Sequence, residues 1–155
     1  MPAVSSVLIH ESGHIIAASA FGVGLGRGYR FFGIRIMLDG AQRIGYIKEA
    51  IIYAAGAAFN LLSLLIPGMG DDFYACSIGA ALFNLIPFPG SDGSAIIGAL
   101  TASVASPKIA DKVKNSIEKI FLTLIWLFAV YVNLDGRGSF ALLSAVTVLL
   151  VSKMI

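Results

Sequence analysis

The chain has 155 residues, 57% apolar and 13% charged, with a mean hydropathy of +0.87. Soluble domains carry roughly 25% charged residues, so this balance excludes an ordinary soluble domain, and a net charge of +2 without a basic or acidic tail excludes a nucleic-acid partner. A lone cysteine, Cys76, excludes an internal disulfide and a cysteine-based zinc cluster.

The start, Met1-Pro2-Ala3-Val4, has no basic region, and the apolar stretch after it carries His10 and Glu11, so it does not read as a cleaved signal. A bilayer core about 30 Å thick needs roughly 20 residues of helix. The first span is expected from about Ala3 to Phe21, stopped by Gly22, Gly24, Gly26 and Gly28. Tyr29 to Met37 is rich in aromatic and β-branched residues. The turn Leu38-Asp39-Gly40 follows, and Ala41 to Ile47 pairs back as a small β-hairpin. A second span is expected from about Glu49 to Ile66, closed by Pro67-Gly68-Met69-Gly70 and the acids Asp71 and Asp72. A third apolar region, Phe73 to about Val104, is too long for one crossing and is interrupted by Pro87, Pro89, Gly90 and Gly93. It reads as a broken helix with irregular backbone facing protein or water. An amphipathic piece, Ser106 to Lys119, leads into a fourth span to Leu134. The turn 135–138 precedes a last span from Ser139 to Ser152. The fold expected is thus a single domain over 1–155, an all-α polytopic membrane protein. It has about five transmembrane helices, a small β-hairpin between the first two and a broken third, with the lipid bilayer as its partner.

Lys and Arg collect in cytoplasmic loops. Arg27, Arg30, Arg35, Arg43 and Lys48 fall between spans one and two, Lys108, Lys112, Lys114 and Lys119 after span three, and Lys153 at the end, which leaves Arg137 alone on the other side. The expected arrangement is an integral, multi-pass protein with its basic loops and C-terminus cytoplasmic.

His10-Glu11-Ser12-Gly13-His14 is an H-E-x-x-H pattern. Residues i and i+4 share a helix face, so both imidazoles reach one Zn²⁺, while Glu11 faces a water on that metal as general base. These are the only histidines in the chain, and they share an apolar span with a carboxylate. Each ionisable group at mid-membrane costs about 2.5 to 3.5 kcal/mol by insertion scales, which a pair of incidental polar residues would not repay. Two histidines leave a catalytic zinc one protein ligand short. Asp92 is the one acid inside the broken third span, although it also stands where it could N-cap a helix beginning near Ser94. Asn60 and Asn84 are amides within apolar spans and need partners there, for which a bond between helices suffices. The run from Gly22 to Gly28 lacks the lysine and preceding strand of a phosphate loop.

With His10-Glu11-Ser12-Gly13-His14 in one helix and Asn84, Pro87 and Asp92-Gly93 downstream in another, the sequence resembles the site-2 protease family of intramembrane zinc metalloproteases, closest to its compact, sporulation-protease-like branch. The resemblance runs from about Leu8 to Ile97. It extends to Gly56 and Asn60, where the family shows Gly-Pro-x-x-Asn and this chain has Ala57 in place of the proline. The resemblance implies zinc held by His10, His14 and Asp92, with catalysis by Glu11 aided by Asn84. It further implies substrate contacts from Asn60, Asn84 and Gly93, and cleavage of a membrane protein within the bilayer of a bacterial or archaeal plasma membrane. Three other readings stay open at this point: a metal-binding or metal-transporting membrane protein, an inactive relative that binds membrane helices, and a zinc peptidase whose last ligand is Glu49 or Glu118.

Overall fold

A computed structural model of the chain describes residues 1–23, 44–136 and 138–154. Among them are six α-helices: α1 (Pro2–Ala20), α2 (Tyr46–Leu62, continued by a 3-10 turn Ser63–Leu65), α3 (Asp71–Leu85), α4 (Asp92–Val104), α5 (Pro107–Leu134) and α6 (Phe140–Met154).

Local chemistry sets the ends. Pro2 opens α1 and Pro107 opens α5, at the position where a missing N–H costs nothing. α1 closes on Gly22 at φ 73°, with Gly22 N–H donating to the Ser19 carbonyl and Val23 N–H to the Ala18 carbonyl. That paired pattern needs the left-handed backbone a glycine supplies. α3 ends where Ile86 is forced extended by Pro87, so residues 86–91 form an irregular link to α4.

Two expectations are corrected. Among the described residues there is no β-strand. The expected hairpin lies mostly over 29–43, outside the described residues, and its final residues Tyr46 and Ile47 begin α2 instead. Nor are there five spans among the described residues. Two helical stretches are long and apolar enough to cross a membrane, Tyr46–Leu65 with 20 residues and Pro107–Leu134 with 28. α3, α4 and α6 have 15, 13 and 15 residues. At 1.5 Å per residue they extend about 20 to 23 Å, short of a hydrocarbon core of about 30 Å. α1 has 19 residues, but His10, Glu11 and His14 hold its hydropathy below that of a span. The amphipathic piece and the fourth span are one helix, α5, because no glycine or proline follows Pro107 before Leu134.

α1 packs on α2 and α3, α2 on α3 and α4, α4 on α5, and α5 on α6. The interior is made of small side chains. Ala18, Ala50, Ala57, Ala81, Ala99, Ala110 and Ala129 are buried with Ile52, Phe73 and Leu122, whereas Leu65, Val104, Phe128 and Leu134 stand outward. Small residues bring backbones together where large apolar ones gain nothing by turning inward, the pattern of helices packed within lipid. Gly13 marks a close crossing: a Cβ there would lie 2.5 Å from the Ala55 carbonyl oxygen, so α1 and α2 meet almost backbone to backbone.

The far side of α4 is tied down by polar groups. Glu118 on α5 is 2% exposed and accepts from the Ser94 hydroxyl and, at 2.6 Å, from Lys153 Nζ on α6. Lys153 also donates to Asn115 Oδ1. The acid expected at a span edge is therefore the buried centre of a polar network joining α4, α5 and α6.

A candidate metal centre

The site is built where α1, α2 and the start of α4 meet. His10 and His14 lie one turn apart on α1 and are both 5% exposed. Their Nε2 atoms are 3.2 Å apart. Asp92 Oδ2 approaches both, at 2.9 Å from His10 Nε2 and 3.2 Å from His14 Nε2. One carboxylate oxygen and two imidazole nitrogens thus form a near-equilateral triangle.

Asp92 does not cap its helix. Ser91 is the N-cap of α4: its Oγ accepts from Ser94 N–H and donates to the Phe88 carbonyl. With the cap supplied by its neighbour, Asp92 occupies the first helical position and its carboxylate is free to face α1 across the crossing. That turn is compact because Gly93 lets α4 press on the end of α3. A Cβ on Gly93 would sit 2.1 Å from the Leu85 carbonyl oxygen.

α2 supplies the back wall. His14 Nδ1 donates to the Ile52 carbonyl oxygen at 2.8 Å, which directs the Nε2 lone pair of the neutral ring into the triangle. Asn60 Nδ2 lies 3.2 Å from His10 Nδ1. Between them, Gly56 faces the ligand nitrogens directly: a Cβ there would come within 2.4 Å of His14 Nε2 and 2.7 Å of His10 Nε2. Gly56 therefore keeps open the space in front of the donor atoms.

This donor set fits a metal. Tetrahedral zinc at about 2.0 to 2.1 Å from each ligand sets neighbouring ligand atoms roughly 3.3 Å apart, close to the three edges of the triangle. Two imidazoles and one carboxylate, nearly closed off by protein, form a suitable ligand set with one position left for a small molecule. Glu11 Oε2 is buried and has no hydrogen-bond partner, an unsatisfied acceptor one residue from His10.

The remaining expected residues fall into two groups. Asn60 is fully buried behind His10, and Gly93 packs against Leu85, so both lie in the framework around the triangle. Asn84 is not drawn into it: its amide donates to the Ala80 carbonyl one turn back on α3. Neither of the other glutamates joins the triangle. Glu49 sits in the first turn of α2, and Glu118 is engaged with Ser94 and Lys153. Sequence reasoning missed Ile52, whose contribution is a backbone carbonyl and leaves no trace in residue type, and Ser91, a serine just before an apolar helical run and so a legible cap signal. No family model, curated protein or solved structure matches the chain.

Proposed function

We propose that this chain is a membrane-embedded zinc endopeptidase that cleaves a membrane-associated protein segment, a site-2-protease-like enzyme. The observations that support this reading are the convergence of His10 Nε2, His14 Nε2 and Asp92 Oδ2 and the buried, unpartnered Glu11 oxygen one residue along from His10. A metal held for structure alone is normally closed by four protein ligands, whereas three ligands and a free carboxylate suit catalysis. A zinc ion bound there would acidify a water toward pKa 7 and polarise a peptide carbonyl.

The chain's own groups do the rest. Glu11 Oε2 takes the proton from the attacking water and returns it to the leaving amine. His14, held by Ile52, and His10, held by Asn60, keep their Nε2 atoms aimed at one point. Two neutral imidazoles and one carboxylate offset half of the metal's charge, which lowers the cost of placing it away from bulk water. A substrate helix must unwind first, because its carbonyls are already hydrogen-bonded.

The membrane setting is supported by two long apolar helices and by the inverted packing of small residues inside and large ones outside. The basic side is cytoplasmic in this reading. Asp71 and Asp72 lie beside Met1 and Pro2 at the start of α1, while Lys48 stacks over Phe21 just past its end, about 28 Å away along 19 residues. A transport path would need a succession of ligands. Among the described residues, His10, His14 and Asp92 are the one such group of three.

The test is cleavage of purified single-span substrates by the wild type and by Glu11→Gln. The amide cannot take the proton, so the variant is expected to keep its zinc and lose cleavage. Full activity in Glu11→Gln overturns the reading.

A further inference from the structure

The two imidazoles of the triangle are held differently. His14 Nδ1 faces a main-chain carbonyl, which only accepts, so that ring always carries its hydrogen on Nδ1 and offers its lone pair from Nε2. His10 Nδ1 faces the Asn60 side-chain amide, which both donates and accepts. Asn60 is 0% exposed, and its Oδ1 is buried without a partner, so the amide has no other hydrogen-bonding duty.

A neutral imidazole links the demands at its two nitrogens. When His10 Nε2–H donates to Asp92 Oδ2, at 2.9 Å, Nδ1 must accept, and Asn60 Nδ2 donates to it. When Nε2 gives its lone pair to a metal, Nδ1 carries the hydrogen and needs an acceptor. A half-turn of the Asn60 amide places Oδ1 there. The Asn60 amide thus offers both roles at one place by turning about its last bond.

We infer that Asn60 is a positioning residue that supports either tautomer of His10, making His10 the adjustable ligand of a site in which His14 is preset. This rests on the zinc reading above and assigns Asn60 a task within it. Such partners behind a ligating imidazole fix its ring and raise its basicity, and losing one typically weakens metal binding about 10- to 100-fold.

The test uses full-length protein in detergent, with zinc affinity measured by chelator competition and the imidazole nitrogens followed by ¹⁵N NMR. The chain has only two histidines, so the rings are separable by one substitution. Asn60→Leu removes both hydrogen-bonding roles at similar volume. It is expected to weaken zinc about 10- to 100-fold and to shift the His10 Nδ1 resonance of the zinc-loaded protein while that of His14 stays in place. Asn60→Asp keeps an acceptor and is expected to hold zinc at least as tightly as the wild type. Wild-type affinity and an unmoved His10 resonance in Asn60→Leu overturn the inference, as does a folded Asn60→Asp that binds zinc more weakly than the wild type. Wild-type protein that takes up no zinc overturns the metal reading itself, and this inference with it.

Discussion

Gly56 presents its bare α-carbon to the ring of His14, so closely that an added methyl carbon would lie 2.4 Å from Nε2. The same helix contributes the Ile52 carbonyl one turn earlier and Asn60 one turn later, so a single face of α2 orients both rings and clears the space before them.

Gly56→Ala is therefore expected to abolish stoichiometric zinc binding, because the methyl group competes with the metal for the ligand nitrogens. Gly79→Ala on α3, where nothing lies within 4 Å of the new methyl, keeps its zinc. It gains about 0.5 to 1 kcal/mol from helix propensity. Metal content and unfolding of the two purified variants check the pair, and equal zinc in both would show that Gly56 does not face a metal.

Capping and ligation belong to adjacent residues and can be separated. Ser91→Ala removes the cap of α4 and is expected to cost about 1 kcal/mol of stability while zinc content persists. A Ser91→Ala protein with unchanged unfolding would return the cap to Asp92.

Glu118 is buried against α4 and paired with Lys153. Lys153→Met strands that carboxylate and is expected to cost about 3 kcal/mol. Glu118→Gln combined with Lys153→Met recovers much of the loss, since an amide still bonds Ser94 without a charge. Unfolding of the single and double variants in mild detergent measures the difference, and a double variant no more stable than the single one refutes the pairing account.

Orientation is open to chemical labelling in a Cys76→Ala background. An impermeant thiol reagent added outside is expected to modify Asp71→Cys and to spare Lys112→Cys. The reverse pattern would place the basic side outside and leave the zinc chemistry untouched.

The parts of the fold that the sequence made legible were those carried by residue type. The two histidines one turn apart, the lone acid near the break and the prolines that end α3 are all chemical signals with fixed spacing. What was not legible depended on partners. Spans were counted on apolar composition, whereas α3, α4 and α6, with 15, 13 and 15 residues, are each short of a full crossing. Ser106 to Lys119 read as a separate amphipathic piece, although nothing after Pro107 in that segment breaks a helix. Glu118 looked like an edge residue because Lys153, its partner, is 35 positions away in the chain. Asn60 read as a substrate contact or a generic bond between helices, and only the placement of α2 behind α1 puts its amide on His10.

The central claim is that His10, His14 and Asp92 hold zinc while Glu11 does not. Zinc per chain, counted by elemental analysis after dialysis against a mild chelator, tests it in one series of purified proteins. The account predicts stoichiometric zinc in the wild type and in Glu11→Gln, and its loss in His14→Ala and in Asp92→Asn, whose helix cap on Ser91 stays intact. Zinc absent from the wild type, or retained equally by Asp92→Asn, would contradict it.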